Sequence, residues 1–198
     1  MWNRQNENQS AIFVLSSPSG GGKNTIINRI RALRPVIEYS VSVTTRPKGN
    51  GEIDGNHYHF VSKEQFEEMI IDGELVEYEQ VHSYYYGTPR RLIDDVISRG
   101  GAIALDLDVN GALHMKELYP FATLIFLMPP SIEVLRERLL KRRRESPVKI
   151  EARLQAAQAE IAAASQFDYR VLNDDLETAV KEVLAIVDRQ LNLCINNK

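Results

Sequence analysis

Apolar and polar residues alternate along this 198-residue chain in blocks that predict a parallel β-sheet covered by helices. The first block, Ala11–Ser16, is almost entirely apolar, which is typical of a strand buried on both faces. A Ser/Pro/Gly cluster follows it, and Asn24–Leu33 then places its large aliphatic side chains at helical spacing. From Pro89 onwards the order recurs, which predicts strands at Ala102–Leu107, Ala122–Leu127 and Tyr169–Leu172, and helices at Leu92–Ser98, Val109–Leu118, Ile132–Arg144, Ile150–Ala164 and Leu176–Leu193.

The segment before Pro89 departs from this order because its predicted strands are short and lie close together in the sequence. They fall at Tyr39–Val43, His57–Val61, Leu75–Val81 and Tyr84–Tyr86, with a helix at Lys63–Ile71 and a glycine-rich loop at Thr44–Asn56. Strands this short and close together predict a small mixed sheet beside the main one.

Composition and charge restrict the class of protein. The formal net charge is −3, which does not fit a protein that binds nucleic acid through a basic surface. The single cysteine, Cys194, cannot form a disulfide within the chain, which is compatible with a reducing compartment. The first ten residues are polar and lack the apolar run of a signal peptide, and no apolar run is long enough to span a bilayer. We therefore expect a soluble cytoplasmic protein with a disordered tail at residues 1–10 and one folded unit at residues 11–198.

Residues 17–25, SPSGGGKNT, lie between the first predicted strand and helix and are similar to the phosphate-binding pattern G-x-x-x-x-G-K-[ST]. In such a loop, successive backbone N–H groups and the helix N-terminus form an anion site, and the lysine reaches the β and γ phosphates of a nucleotide. Gly20, Gly21 and Gly22 let the backbone wrap closely, and Lys23 occupies the lysine position. The alternative is a glycine-rich turn beside a surface lysine, but the flanking strand and helix favour the phosphate site.

Two positions depart from that pattern. Ser17 replaces the first glycine, and Asn24 replaces the Ser or Thr whose hydroxyl binds Mg²⁺. The Asn24 amide oxygen can still offer Mg²⁺ a neutral ligand, but its shape and reach differ from those of a hydroxyl. The loop therefore predicts a phosphate site with weakened metal binding.

Six further motifs follow the phosphate loop in a fixed order: SVSVTTR (Ser40–Arg46), GNHYHFV (Gly55–Val61), GELVE (Gly73–Glu77), YYGTP (Tyr85–Pro89), LDLDVNG (Leu105–Gly111) and VLNDD (Val171–Asp175). Each motif is weak alone, but the ordered set closely resembles the guanylate kinases, from about Ala11 to about Leu193. The resemblance implies a P-loop three-layer α/β core with a parallel sheet (residues 11–38 and 89–198), a helical lid (about residues 138–155) and a small mixed-sheet GMP-binding subdomain (about residues 39–88).

The resemblance also implies an activity, namely Mg-dependent transfer of the γ-phosphoryl group of ATP to GMP or dGMP in purine nucleotide metabolism. ATP and GMP would be the partners of a monomer or homodimer, Mg²⁺ would accompany ATP, and neither nucleic acid nor a membrane would be bound.

The resemblance places the family's functional residues at matching positions of this chain. ATP would be bound by Ser17, Pro18, Ser19, Gly20, Gly21, Gly22, Lys23, Asn24, Thr25 and Asn173. The GMP phosphate would be held by Arg46, Tyr58 and Tyr86, and the guanine would be read by Ser42, Glu77, Thr88 and Asp106. The catalytic set would be Lys23, Arg46, Arg138, Arg142, Arg153 and Asp108, with Asp108 near the water shell of Mg²⁺ and Asn24 as a weak metal ligand.

Elementary chemistry agrees with these roles. Guanine presents an N1–H and an exocyclic amine side by side, so the Glu77 carboxylate can accept both hydrogen bonds, whereas adenine has an acceptor at N1. Tyrosine hydroxyls and an arginine fork suit a phosphate. Asp106 follows a parallel strand, at the end where ligands bind in open α/β sheets. The alternatives are a solvated strand face for Glu77 and simple packing of the small sheet for Tyr58 and Tyr86.

Further departures from the family pattern leave other functions open. Gly49 stands where the family usually carries a second phosphate-binding arginine, and RRRESP (Arg142–Pro147) lacks the usual glycine of the lid. With Asn24, these features allow a guanylate-kinase-like binding module without catalysis, although the full set of charged residues favours an enzyme. A related kinase acting on a sugar bisphosphate is a third hypothesis, against which the guanine-reading residues argue.

Overall fold

The computed structural model describes residues 9–81, 83–141 and 147–196, and within them the chain forms nine strands and seven α-helices. The strands are β1 (Ala11–Ser16), β2 (Ile37–Tyr39), β3 (Val43–Thr44), β4 (His59–Phe60), β5 (Leu75–Val81), β6 (Tyr84–Pro89), β7 (Ala102–Asp106), β8 (Thr123–Met128) and β9 (Tyr169–Leu172). The helices are α1 (Lys23–Leu33), α2 (Lys63–Ile71), α3 (Arg90–Ser98), α4 (Val109–Leu118), α5 (Ile132–Lys141), α6 (Pro147–Ala163) and α7 (Leu176–Asn196).

The main sheet has five strands in the order β2-β7-β1-β8-β9, and all neighbouring pairs are parallel. Every residue of β1 is buried because helices cover both faces of the sheet. Ile12 and Val14 pack with residues of α3 and α4, whereas Phe13 and Leu15 pack with residues of α1 and α7 on the opposite face. The predicted three-layer core with a parallel sheet is therefore confirmed.

A second sheet has four strands in the order β4-β3-β6-β5. β3 pairs with β4 in parallel and with β6 antiparallel, and β5 and β6 are also antiparallel, so the sheet is mixed, as predicted. Val43, Phe66 and Leu75 form its small apolar core, with α2 packed against it. This unit is referred to below as the small subdomain.

The prediction of one strand at Tyr39–Val43 is wrong. The chain forms β2 in the main sheet and β3 in the small one, with Ser40 still donating its backbone N–H to the Ala104 carbonyl at 3.1 Å. A short run of polar and apolar residues cannot show that its two ends pair with different sheets, because pairing is decided by tertiary contacts.

Helices α5 and α6 pack on each other through Leu135, Leu139, Ile150, Leu154 and Ala157. Residues 142–146, in the middle of the predicted lid, lie outside the described residues. Helix α6 begins at Pro147, three residues before the predicted start at Ile150, since proline is well tolerated in the first turn of a helix.

The packed part of the chain begins before Ala11. Ser10, which the sequence assigned to the disordered tail, is 3% exposed, and its hydroxyl donates to the Ile97 carbonyl at 3.1 Å. Residues 1–8 lie outside the described residues. Among the helices that the structure describes, none combines the length and the apolar character needed to cross a membrane.

The fold brings two features to one edge of the main sheet. β1 leads into the predicted phosphate loop (residues 17–25) and α1, and its neighbour β7 ends at Asp106 on the same edge because the two strands are parallel. The small subdomain lies across from this edge, so residues distant in sequence meet between the two sheets.

Candidate active site

A cavity of about 410 Å³ lies between the start of α1, the carboxyl end of β7 and the small subdomain. Nine of the residues predicted from the sequence line it: Lys23, Asn24, Ser42, Arg46, Tyr58, Glu77, Tyr86, Asp106 and Asp108. Residues 17–25 line an adjoining cavity of about 180 Å³, which shares Lys23 and Asn24 with the first. The structure therefore brings the predicted phosphate loop and the residues predicted to bind GMP together.

The phosphate loop takes its shape from Gly20 and Gly22, whose φ angles of 87° and 88° disfavour other residues. The Asn173 side-chain amide donates to the Gly21 carbonyl at 2.6 Å and lies 2.6 Å from where a Cβ on Gly22 would be. Ser17, the first departure from the loop pattern, is buried, and its hydroxyl donates to the Pro18 carbonyl at 3.1 Å. Asn173, the residue that follows β9, therefore stabilises the loop through its side-chain amide.

Lys23 is the first residue of α1, and its side chain reaches the carboxyl end of β7. Its ammonium group is 2.7 Å from Asp106 Oδ1 and donates to the Leu107 carbonyl at 2.7 Å. Both charged side chains are 17% exposed. The sequence predicted each residue for the site but not their ion pair, which joins residues 83 positions apart, from 23 to 106.

Arg46 brings a positive charge from the small subdomain to the cavity. Its Nη2 and Nη1 donate to the two Glu52 oxygens at 2.7 and 2.9 Å, and Nη1 also donates to the Pro47 carbonyl at 3.0 Å. The guanidinium lies 5.4 Å from the centre of the Tyr58 ring, and Tyr58 packs edge-on against Tyr86 at 5.8 Å. Burial raises the pKa of Tyr58, so its hydroxyl keeps a proton that it can donate.

Glu77 points into the cavity rather than to solvent. It lies opposite Thr88 in the β5–β6 register, and the buried Thr88 hydroxyl donates to Glu77 Oε1. Burial raises the pKa of Glu77, and the Thr88 hydrogen bond opposes this shift. Glu77 is partly buried and lines the cavity, so the solvated-face alternative does not describe this residue.

Asp108 and Asn24 are the oxygen donors expected near Mg²⁺. Asp108 is the N-cap of α4, and its Oδ1 accepts the Gly111 N–H at 2.7 Å, while the side chain of Asn24 is exposed on the first turn of α1. Both residues line the larger cavity. Within the described ranges, no group of three or more His, Cys, Asp or Glu side chains could hold a metal by itself. The two residues fit a Mg²⁺ that is held mostly by nucleotide phosphates and water.

Two of the three arginines predicted near the lid contact either the phosphate loop or Asn173, which binds the loop. Arg153 of α6 donates to the Ser19 hydroxyl at 3.1 Å, and Arg138 of α5 donates to the Asn173 carbonyl at 2.9 Å. Arg142, the third, lies outside the described residues.

Two carboxylates in or near the site were not predicted from the sequence. Glu52 is bound to Arg46, and Glu160 of α6 lies near the backbone N–H of Ser19, which opposes the rise in the Glu160 pKa, while its Oε2 is buried with no hydrogen-bond partner. Glu52 lies in a loop without periodicity, and Glu160 lies in an alanine-rich helix where one more polar residue carries no signal.

Comparison with known proteins is consistent across sequence and structure. The family model described as Guanylate kinase matches residues 9–190. The guanylate kinase of Carboxydothermus hydrogenoformans is 45% identical over 176 residues, covering 89% of this chain and 86% of the relative. That of Chlorobium luteolum is 41% identical over 187 residues, covering 94% and 95%. The crystal structure of guanylate kinase from Anaplasma phagocytophilum matches with a TM-score of 0.76 and 34% identity, over 93% of this chain and 88% of that one.

Proposed function

Because the chain belongs to the guanylate kinase family and is an ATP:GMP phosphotransferase, we propose that it transfers the γ-phosphoryl group of Mg-bound ATP to GMP or dGMP. ADP and GDP (or dGDP) are then the products. The enzyme serves purine nucleotide metabolism in the cytoplasm, and residues 39–88 act as its GMP-binding subdomain.

The observation that carries the proposal is the position of Glu77 in the same cavity as Lys23 and the start of α1. A carboxylate whose Oε1 is held by Thr88 can accept the N1–H and the amine of guanine with its free lone pairs. Adenine would place an acceptor against the same carboxylate and leave both groups unpaired, which costs the wrong base on the order of 10⁴-fold or more in specificity. Ser42 lines the same cavity and adds a hydroxyl for the base.

The acceptor phosphate binds at Arg46, Tyr58 and Tyr86. The three side chains line one side of the cavity and are in mutual contact. A guanidinium supplies charge and paired N–H donors, and each phenol supplies an O–H donor. This arrangement points the acceptor phosphate toward the phosphate loop.

The donor triphosphate binds to the backbone amides of residues 17–25 and to Lys23. Its binding draws the Lys23 ammonium away from Asp106 and toward the β and γ phosphates, because an anion of higher charge competes for the same cation. Asp106 then becomes available to the guanine. Asn24 and Asp108 are the residues that would hold Mg²⁺, and the ion would neutralise charge on the phosphates.

Transfer itself needs alignment and positive charge more than covalent chemistry from the protein. Arg153 and Arg138 are anchored at Ser19 and Asn173, next to the loop, from which they reach the moving phosphoryl group. Closure of α5 and α6 over the loop excludes water that would otherwise hydrolyse ATP.

A coupled steady-state assay with ATP tests the proposal directly. We expect turnover with GMP and dGMP, dependence on Mg²⁺, and turnover with AMP lower by several orders of magnitude. Equal rates with AMP and GMP would contradict the base-reading role of Glu77. Absence of ATP binding, with or without Mg²⁺, would instead indicate a binding module without catalysis.

A further inference from the structure

We propose that Glu52 is a positioning residue, which fixes the Arg46 guanidinium so that one edge of it always faces the acceptor phosphate. The inference rests on the proposed function, because it concerns how that phosphate is held.

Glu52 is held in place by three hydrogen bonds. Its two oxygens accept from Arg46 at 2.7 and 2.9 Å, and Oε2 also accepts the backbone N–H of Gly49 at 2.6 Å. The side chains of Arg46 and Glu52 are 27% and 24% exposed, so the pair is partly shielded from water. The Arg46 hydrogen bond, followed by that of Gly49, lowers the pKa of Glu52 to about 2, and the carboxylate therefore stays charged at neutral pH.

A count of donors shows that this pairing leaves Arg46 able to bind a second anion. A guanidinium has five N–H groups. The two on Nη1 point to Glu52 and Pro47, and one on Nη2 points to Glu52. The second Nη2 hydrogen and the Nε hydrogen lie together on the adjacent edge, and such an edge binds a phosphate through two parallel hydrogen bonds.

Arg46 lines the cavity, and the second edge is the one that Glu52 and Pro47 leave for a ligand there. Arg46, Tyr58 and Tyr86 line it together, and the Tyr86 hydroxyl is near enough to Arg46 to contribute, after Glu52, to raising the Arg46 pKa. The rings of Tyr58 and Phe60 lie 5.4 and 5.6 Å from the guanidinium. Arg46 is therefore fixed at one end by a carboxylate and flanked by aromatic rings.

Gly49 lets a backbone N–H help to hold the Glu52 carboxylate. A Cβ at Gly49 would lie 2.9 Å from Glu52 Oε2, so the absence of a side chain allows its N–H to approach the carboxylate closely. Because position 49 supplies no second arginine, Arg46 is the one arginine in the sequence of residues 39–88. A binding group that is already ordered loses less conformational entropy when the ligand arrives.

The experiment compares the affinities of GMP and guanosine, which differ only in the phosphate, by calorimetry on the full chain. We expect Glu52→Gln and Glu52→Ala to weaken GMP binding on the order of tenfold or more, through loss of preorganisation, while guanosine binding changes less than about twofold. Glu52→Asp, which keeps the charge but is shorter, should give an intermediate loss. Glu67→Gln is the matched control, since Glu67 carries an exposed ion pair with Lys63 at 3.5 Å in the same subdomain.

The guanosine affinity shows that each variant still folds, because guanosine uses the same subdomain. If GMP binds to Glu52→Gln as tightly as to the wild type, or more tightly, Glu52 competes with the phosphate or is neutral, and the positioning role is wrong. If the wild-type protein itself binds GMP no better than guanosine, the proposed acceptor site fails, and the inference fails with it.

Discussion

Gly22 shows at the scale of one residue how closely the phosphate loop is packed. Its φ angle of 88° belongs to the left-handed region, and the Asn173 amide occupies the space that a side chain would need. The same amide binds the Gly21 carbonyl, so the loop and the end of β9 hold each other in place. Both Gly22 and Asn173 were predicted for the site from the sequence. Their contact was not, because it joins two distant parts of the chain.

We predict that Gly22→Ala lowers both stability and ATP affinity. The Cβ would add a clash at 2.6 Å to the cost of a left-handed backbone, which is about 1–2 kcal/mol. Gly51→Ala is the matched control, because Gly51 has a φ of 81° but nothing within 4 Å of the added Cβ. Thermal unfolding and the KM for ATP distinguish the two.

Gly51→Ala should show the backbone cost alone and keep the wild-type KM for ATP. Equal losses of stability in the two variants, together with an unchanged KM for ATP in Gly22→Ala, would show that Asn173 moves away freely. The proposed rigidity of the loop would then be wrong.

Helix α6 carries a buried carboxylate, Glu160, whose charge opposes folding. It approaches the phosphate loop through Arg153 and Glu160, which contact the side chain and the backbone of Ser19. Glu160 Oε2 is buried without a partner, and burial raises the pKa of the carboxyl group, with Lys23 and the Ser19 N–H opposing and Asp108 adding to the shift. A buried carboxylate of this kind costs folding energy in its charged form.

We predict that Glu160→Gln raises the Tm at pH 7 by about 2–4 °C, which corresponds to ~1 kcal/mol for a chain of this size. The folded-state pKa of Glu160 is raised, so the folded protein binds the proton more tightly than the unfolded chain does. The contribution of Glu160 to the free energy of unfolding therefore falls as the pH rises from about 4.5 through its folded-state pKa.

The gain from Glu160→Gln should accordingly disappear below pH 4.5, the reference value of the carboxyl group, where both states are protonated. Glu151→Gln serves as the control on the same helix, since Glu151 is exposed and pairs with Arg136 at 2.9 Å. A gain that is equal at all pH values, or equal in the two variants, would exclude burial of the Glu160 charge as the cause.

The secondary-structure elements were predictable to the extent that their signal is local. β1, α2, α4, β5 and β9 have their predicted bounds because their apolar pattern or caps lie within the element itself. The split of Tyr39–Val43 between two sheets was not predictable, because the partners of its two ends, Ala104 and Gly87, are distant in sequence.

The site of the molecule lies between two sheets. Contacts there also join residues that are distant in sequence, so they too were not predictable. Nine residues of the cavity were predicted from motifs, but Glu52 was not, and the pairs Lys23–Asp106 and Arg46–Glu52 required the folded structure. Each pair satisfies a cation of the site with a nearby carboxylate. The two cations are therefore already paired with carboxylates before substrate binds.

The central claim is that the Glu77 carboxylate recognises guanine opposite the phosphate loop, and the most direct test is kcat/KM for GMP in Glu77→Gln. The amide keeps the shape but presents a donor to guanine, so we predict a loss on the order of 100-fold or more. Glu68→Gln, an exposed site on α2, should retain the wild-type value. If Glu77→Gln stays within about twofold of the wild type, Glu77 does not recognise the base, and this account of the site is contradicted.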